Sequence, residues 1–551
     1  MSASDKKKLR KEQYAEKMTQ RQQQERSEAK KLKTYTVSFV CVMIAIVVVL
    51  AVVFSLKWYN TSGITEKNTL AVVIGDYEMN SVEMSYYYND AINKFYNEVY
   101  GSVYSEEYFK SLGLDMSKPL NKQTNPETGD TWSNYFIDGA LETAKSDFAM
   151  YNKAMEAGFK MTEAEQAEFD TEIKVLKTNT KLYGGADVYL QQIYGYGADL
   201  KSYTKYLERN HIATAFYNSY YEGLTYTDDE IRAYEEDKYN TYTSYDYAYV
   251  YLSYRDFLEG GTENESGTTE YSEEENNAAR EKMLAVAENL ATATSLEELH
   301  ALVDGTEMKE GSSLVVNEKN DAMYVSVTSQ NEELGNWISA EDRKVGDVGK
   351  IDVTAKLDEE AEESETVTNG AYVVIFLGSD ENKKPMSNVR HILIQPEGGH
   401  VDETTGETVY TEAEQTIALQ DAEKILEDWK AGEATEESFI ALVKEHSADT
   451  ASVADGGLYE DINPHSEYKE AFRDWAINPE RKAGDTGIVE TSYGQHIMYY
   501  VGDSEQTYRD YLISTDMANE EMEEYYDAAI EATTVVKKDM SKLNLSMVLG
   551  G

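Results

Sequence analysis

Two histidines lie in short β-like runs that are far apart in the sequence. His391 belongs to Val-Arg-His-Ile-Leu-Ile at 389–394, and His496 belongs to Tyr-Gly-Gln-His-Ile-Met at 493–498. Both runs favour β-structure, and we expect them to be neighbouring strands of one sheet. That pairing would bring the two imidazoles together, where each ring can fix the orientation and tautomer of the other.

The segment between the two histidines contains further motifs in a definite order. Two amphipathic helices come first, and a stretch of small residues follows them. The motifs are, in order, Phe439-x-x-Leu-Val, Ser-x-Asp449, Phe472 and a Gly-Asp-Thr-Gly turn at 484–487. Together with the two histidine runs, they resemble the parvulin (PpiC-type) peptidyl-prolyl isomerases. The resemblance covers about a fifth of the chain.

The resemblance implies a site for each of these residues. Asp449 stands where the family has aspartate or cysteine, close enough to the histidines to set their charge state. Tyr468 and Phe472, four residues apart on one predicted helix face, would form the wall of a proline pocket. The candidate catalytic residues are His391, Asp449, His496 and Tyr493, and the candidate substrate-binding residues are Tyr468, Phe472 and Met498.

The implied reaction is rotation about an X-Pro peptide bond. The barrier is roughly 18–20 kcal/mol, so unaided isomerisation takes tens of seconds or more. Catalysis needs no nucleophile, only a pocket for the proline ring and polar groups that favour the twisted amide. Each candidate also has an ordinary alternative: a strand histidine can be a core residue, Asp449 can cap a turn, and Phe472 can be core packing.

Two departures from the family pattern concern the edge of this site. Many parvulins have Gly-Gly-Asp-Leu-Gly where this chain has Gly-Gly-Leu-Tyr-Glu at 456–460. Phospho-specific members follow the first strand with a basic loop, whereas here no Lys or Arg occurs between His391 and Lys424. Recognition of a phosphate group is therefore not expected.

Charge is distributed very unequally along the chain. Residues 1–33 carry 11 Lys and Arg against 5 Asp and Glu, and the rest carries 40 against 97. So acidic a surface repels nucleic acid, which excludes that class of partner. With seven histidines, one cysteine and no HExxH spacing, we expect no metal site, no cofactor and no disulfide framework.

An uncharged apolar run of 22 residues spans 35–56. As a helix it would be about 33 Å long, enough to cross a bilayer. The basic segment at 1–34 is expected to stay in the cytoplasm, with everything after Lys57 outside the cell membrane, on a Gram-positive surface. A cleaved signal peptide is the alternative, but the run is long and no Ala-x-Ala site follows it.

The region 57–240 is predicted to be mostly helical and rich in tyrosine. By its place before a parvulin-like domain it resembles the chaperone module of SurA- and PrsA-like foldases. Tyr86–Tyr88 could present a client-binding surface or could simply be core packing. A last helix at 503–551 is expected to return and pack on this region.

Residues 241–380 are an imperfect copy of the parvulin-like stretch at 386–502. The segment 337–349 aligns without a gap with 475–487, including the Trp, the Arg-Lys pair and three glycine or aspartate positions. Tyr372 stands where His496 stands, so we expect an inactive parvulin-like fold. An acidic insertion at 357–366 precedes its last strand and is predicted to be a solvated loop.

The sequence therefore predicts an α+β protein with one transmembrane helix, a helical chaperone-like domain and two parvulin-like domains, each a small antiparallel sheet flanked by helices. The predicted function is extracytoplasmic peptidyl-prolyl isomerisation and chaperoning of unfolded secreted chains that contain X-Pro bonds. The alternatives are a membrane-tethered holdase without catalysis and a structural or adhesive surface protein. The oligomeric state stays open, with a homodimer among the possibilities.

Overall fold

The computed structural model describes residues 3–102, 106–235, 238–263, 268–309, 311–356, 366–402 and 406–545. The chain divides into two compact units. The first consists of Met1–Leu224 and Glu520–Gly551, and the second of Thr225–Asn519. The division after Leu224 lies earlier than the boundary at 240 that the sequence suggested. The acidic insertion lies outside the described residues except for Thr366.

The first unit begins with one long helix, α1 (Ala3–Thr61), which includes the apolar run. Its segment Val42–Tyr59 is long and apolar enough to cross a membrane and is not covered by other described parts of the protein. An uninterrupted apolar surface of this length is what a lipid environment accommodates, because every backbone group of a helix is satisfied internally.

The rest of the first unit up to Leu224 is mostly helical, as predicted. Several helices begin at a Thr or Asp whose side chain accepts a backbone N–H three residues on, as at Thr131, Thr162 and Asp199. The elements are α2 (Ile64–Asn68), β1 (Leu70–Ile74), β2 (Tyr77–Asn80), α3 (Ser81–Ser102), α4 (Glu106–Ser111), α5 (Trp132–Ala157), α6 (Glu163–Asn179), α7 (Ala186–Tyr194) and α8 (Leu200–Glu222).

The tyrosines of α3 belong to the core of this unit. Tyr86, Tyr87 and Tyr88 are almost fully buried, together with Trp132 and Phe136. Their rings contact other aromatic side chains; Tyr86, for example, meets Tyr194 edge-on at 4.9 Å between centroids. Of the two interpretations of these tyrosines, the structure therefore favours core packing over an exposed client surface.

The second unit starts with α9 (Asp228–Glu235) and a four-stranded antiparallel sheet. The sheet has the strand order β6-β3-β8-β7. The elements are β3 (Ser244–Ser253), β4 (Thr262–Glu263), β5 (Thr269–Glu270), α10 (Glu273–Leu290), α11 (Leu296–Asp304), β6 (Asn317–Met323), α12 (Tyr324–Gln330), α13 (Glu332–Ile338), β7 (Val348–Lys356) and β8 (Thr366–Asp380).

A second four-stranded antiparallel sheet follows, with the order β12-β9-β14-β13. Strand for strand, this is the order of the preceding sheet. The elements are β9 (Pro385–Ile394), β10 (His400–Val401), β11 (Thr408–Val409), α14 (Glu412–Ala431), α15 (Glu436–His446), β12 (Leu458–Ile462), α16 (Glu470–Ala476), β13 (Thr486–Thr491) and β14 (Gly494–Thr507).

Local contacts also recur between the two halves of this unit. A capping glutamate accepts the N–H of a hairpin glycine in each half: Glu275 from Gly261 at 2.9 Å, and Glu414 from Gly399 at 3.1 Å. Likewise, an arginine stacks on a tryptophan six residues earlier in each half, at 3.7 Å for Arg343 and 4.1 Å for Arg481. The aligned sequence segments thus form equivalent local structures.

The chain ends with α17 (Tyr508–Ala532) and β15 (Val535–Lys537). The prediction of one helix from 503 to 551 is therefore wrong at both ends: residues 503–507 continue β14, and a β-branched pair after Thr534 forms a strand. From Glu520 onward the chain belongs to the first unit, where Met522 and Ala529 are buried and β15 pairs antiparallel with β1. The segment from Glu520 onward thus packs within the same unit as the helices before Leu224.

Candidate functional site

The pairing of β9 with β14 places both histidines on one face of the sheet. His391 lies opposite Met498, and His496 lies opposite Leu393. Because side chains alternate along a strand, these four residues point to the same side. The histidine rings stack at 5.1 Å between centroids, with 21° between their planes.

A continuous chain of hydrogen bonds runs through the two imidazoles. Nε2 of His391 lies 2.8 Å from Oδ2 of Asp449, the Nδ1 atoms of His391 and His496 are 3.0 Å apart, and Oγ1 of Thr491 lies 2.8 Å from Nε2 of His496. An ionised carboxylate only accepts, so Nε2 of His391 carries the proton and its Nδ1 accepts from His496. Nε2 of His496 then accepts from the hydroxyl of Thr491.

Asp449 lies in the loop after α15, where the helix ends because Ser447 is extended. Its Oδ2 accepts hydrogen bonds from Tyr459 at 3.0 Å and from Ser452, in addition to His391. Burial raises the pKa of Asp449, but the hydrogen bonds from Ser452, His391 and Tyr459 outweigh burial, and the pKa lies below its usual value. Asp449 is therefore a firmly ionised end of the network.

Both histidines are held neutral. Burial lowers the pKa of His391, against the opposing effect of Asp449. Burial, followed by the neighbouring His391, lowers the pKa of His496 to about 3. The side chains are only 3% and 5% exposed, so the charged forms would be poorly solvated. At neutral pH the network is thus a fixed array of dipoles that ends in one carboxylate.

The network forms the floor of a pocket of about 390 Å³. Aromatic rings form its wall: Phe472 lies 5.3 Å from each histidine ring, and Tyr468 lies 5.6 Å from Phe472. Glu467, Lys469 and Tyr493 also line the pocket. A mostly apolar hollow with a few convergent polar groups suits a small apolar ring attached to a polar peptide.

Residues 391–502 match the family model described as "Rotamase: PPIC-type PPIASE domain". The match begins at one histidine of the network and includes the other residues of the site. We refer to this matched segment, residues 391–502, as the rotamase domain.

Curated relatives of the rotamase domain include Foldase protein PrsA 1 of Listeria monocytogenes, 32% identical over 123 residues, which are 22% of this chain and 33% of the relative. The chain thus spans about a third of the length of the curated relatives it matches. Solved PrsA structures from Bacillus subtilis (20% identity, 30% of this chain and 56% of that chain, TM-score 0.19) and Bacillus cereus (14%, 53% and 96%, TM-score 0.20) are also similar.

Six of the seven predicted site residues line the pocket: His391, Asp449, Tyr468, Phe472, Tyr493 and His496. Tyr493 is 55% exposed, and its backbone N–H donates to the hydroxyl of Thr491. Met498 lies opposite His391 on the same face of the sheet, but it is fully buried and packs with Phe472 in the core, so it does not line the pocket.

The predicted helix face shared by Tyr468 and Phe472 is wrong. Helix α16 begins at Glu470, because Lys469 before it has an extended backbone with ψ of 134°. Tyr468 therefore reaches the wall of the rotamase pocket from the preceding loop. The two rings still meet, with 5.6 Å between their centroids.

Three polar residues of the rotamase site were missed in the sequence: Thr491, Ser452 and Tyr459. Thr491 is placed by the tight hairpin between β13 and β14, in which it pairs with Gly494. Thr491 precedes His496 by five residues, and only the register of this hairpin could have indicated that the two side chains meet. Tyr459 belongs to the segment 456–460 that departs from the family pattern, so the resemblance gives it no role.

In the sheet β6-β3-β8-β7, tyrosines occupy the positions that correspond to the two histidines. Tyr372, aligned with His496, lies opposite Tyr251, and Tyr249 occupies the place of His391. The ring of Tyr372 lies 4.8 Å from that of Tyr251 and 5.5 Å from that of Tyr249. A phenol does not titrate near neutral pH and lacks the paired nitrogen atoms of imidazole, so the hydrogen-bond chain of the rotamase domain cannot form there.

Proposed function

We propose that this protein is an extracytoplasmic peptidyl-prolyl cis-trans isomerase and chaperone that assists the folding of secreted polypeptides after translocation. The observation that carries the proposal is the neutral His391–His496 pair, tied to Asp449 at the floor of the aromatic-walled pocket. The rotamase domain supplies the catalytic activity, and unfolded chains with X-Pro bonds are the substrates.

The geometry suits rotation about an amide bond because nothing in the network has to react. Phe472 and Tyr468 can hold the proline ring while the peptide carbonyl lies over the histidines. A twisted amide has lost its resonance, so a pocket that fits this form better than the planar form lowers the barrier. Buried, fixed dipoles do this efficiently, since they need no reorientation during the reaction.

The proposal assigns a role to each remaining part of the chain. Residues 35–56 anchor the protein in the cell membrane by a single span, with 1–34 in the cytoplasm and the rest outside. Residues 57–240, with the C-terminal segment from Glu520, form a chaperone-like unit. Residues 241–380 form a parvulin-like domain without catalytic groups, and residues 386–502 form the active one. The repeated strand order and the tyrosines in place of the histidines support this assignment.

The activity can be measured on a short X-Pro peptide by exchange NMR. The full-length chain in detergent micelles should increase the cis-trans exchange rate in proportion to its concentration. His391→Ala and Asp449→Ala should each reduce the increase at least tenfold, which is about 1.4 kcal/mol of transition-state stabilisation. His400→Ala is the matched control, because His400 is an exposed histidine on the hairpin strand β10 of the same domain.

Equal rates for the wild type, His391→Ala and Asp449→Ala would refute the proposed enzyme. If these variants still suppress aggregation of an unfolded client, the membrane-tethered holdase becomes the better description. If the protein is instead a surface adhesin, it should show neither isomerase nor chaperone activity, and it should bind one folded partner.

A further inference from the structure

The proposed isomerase site contains a polar contact that the family pattern does not supply. At 456–460 the chain has Gly-Gly-Leu-Tyr-Glu where many parvulins have Gly-Gly-Asp-Leu-Gly, so Tyr459 stands at the position of a leucine. A leucine side chain has no hydrogen-bonding group, whereas a phenol can donate one hydrogen bond. The exchange therefore adds a hydroxyl to the wall of the pocket.

The hydroxyl of Tyr459 is directed at the carboxylate that ends the network. Tyr459 lies on β12 opposite Val389, on the same side of the sheet as His391. Its oxygen is 3.0 Å from Oδ2 of Asp449, and its ring meets the ring of His391 edge-on at 5.1 Å and 71°. One side chain thus contacts two members of the network, and it also lines the pocket.

This contact has a defined electrostatic direction. Burial, followed by the nearby Asp449, raises the pKa of Tyr459 to about 12, so the phenol stays protonated and acts as a donor. Oδ2 of Asp449 then receives hydrogen bonds from Tyr459, Ser452 and His391, all of which favour the ionised carboxylate. The charged and titratable groups around Asp449 in the described part of the chain are His391 on β9, Tyr459 on β12, His496 on β14 and, in the pocket lining, Glu467, Tyr468, Lys469 and Tyr493.

We propose that Tyr459 is a positioning residue of the isomerase site: its hydroxyl keeps Asp449 ionised and oriented, so that His391 retains its proton on Nε2 and accepts from His496 on Nδ1. This inference rests on the proposed isomerase function. Tyr459 acts through Asp449 and not on the amide itself, so its loss changes the pH range over which the network is assembled.

The test is the pH dependence of catalysed cis-trans exchange, measured by NMR on an X-Pro peptide with the full-length chain in micelles from pH 3 to 8. Tyr459→Phe keeps the ring and removes only the hydroxyl, and Tyr459→Leu restores the residue of the common pattern. Both should move the acid limb of the rate profile to higher pH by roughly one unit, which one hydrogen bond to a charged group can supply. Tyr468→Phe is the control, because it removes a hydroxyl from the same wall of the pocket. Only the pH position of its acid limb is compared with that of the wild type.

A shift in both Tyr459 variants, with the limb of Tyr468→Phe at the wild-type position, supports the proposal. Superimposable limbs for the wild type and Tyr459→Phe overturn it while leaving the isomerase function intact. An equal shift in Tyr468→Phe also overturns it, because the effect would then reflect the polarity of the pocket and not the contact with Asp449. A wild-type chain that gives no rate above the uncatalysed exchange overturns the proposed function together with the positioning role.

Discussion

Replacement of Gly457 by alanine tests how the edge strand holds His391 in place. The carbonyl of Gly457 accepts the backbone N–H of His391 at 2.9 Å, just before β12 begins. Gly457 has φ of +73°, and a Cβ there would lie 2.4 Å from the carbonyl oxygen of His391. The neighbouring atom belongs to the backbone, so it cannot swing away as the end of a flexible side chain could.

The expected cost has two contributions. A left-handed conformation costs a residue with a Cβ about 1–2 kcal/mol. Forcing a methyl group into filled space costs about 1–3 kcal/mol more. Gly457→Ala should therefore weaken local pairing at His391 by about 2–5 kcal/mol. Gly484→Ala is the matched control: Gly484 has φ of +91°, and no heavy atom in the described part of the chain lies within 4 Å of its added Cβ, so only the first contribution applies.

Hydrogen exchange detected by mass spectrometry measures this difference on the full-length chain. In Gly457→Ala, peptides that cover 388–395 should exchange at least about 30-fold faster than in the wild type, since 2 kcal/mol shifts the opening equilibrium by that factor. The same peptides should be nearly unchanged in Gly484→Ala. Wild-type protection of 388–395 in Gly457→Ala would refute the assignment of this glycine as a close backbone contact.

Thr491→Val keeps the shape of the side chain but leaves Nε2 of His496 without its hydrogen-bond donor. The catalysed exchange rate should therefore fall about tenfold, while the circular-dichroism spectrum stays unchanged. An unaltered rate would exclude Thr491 from the network. Because burial lowers the pKa of His496 from 6.5 to about 3, the unfolded chain binds more protons than the folded chain between these two pH values. The free energy of unfolding should therefore fall below about pH 6.5, by up to about 1.4 kcal/mol per pH unit from His496 alone. Accordingly, the free energies of urea unfolding at pH 7 and pH 5 should differ less in His496→Gln than in the wild type. Removal of residues 520–551 takes Met522 out of the core of the first unit and removes the strand β15 that pairs with β1. The midpoint temperature of thermal unfolding of that unit should fall by several degrees, while the isomerase rate is retained. An unshifted midpoint would contradict the packing of this segment.

The meeting of His391 and His496 could be predicted because strand alternation and a shared sheet leave few other arrangements. The resemblance to parvulins then supplied Asp449 and Phe472, whose placement depends on loops that periodicity alone does not determine. Tyr468 was predicted on a helix because a spacing of four suits one; the extended backbone of Lys469 delays the helix start, and the sequence gives little sign of this.

Three other features of the structure could not be predicted because they leave no clear pattern in the sequence. Thr491 enters the site through strand register, and Tyr459 enters it through one substitution on the edge strand β12; neither produces a pattern in the sequence. The tyrosines of α3 are amphipathic, so composition alone cannot distinguish a core from a binding surface; burial decided for the core. At the C-terminus a three-residue strand, Val535–Lys537, was too short to stand out against the preceding helix.

We propose that the neutral His391–His496 pair beside Asp449 accelerates X-Pro isomerisation in a polypeptide client. The most direct measurement is the rate of the slow refolding phase of a protein limited by one cis-proline, with full-length wild-type chain or the double variant His391→Ala/His496→Ala added at increasing concentration. The rate should rise linearly with the concentration of the wild-type chain and stay at its spontaneous value with the double variant. An equal acceleration by both chains would contradict a catalytic role of the histidine pair, because binding of the client without the pair would then suffice.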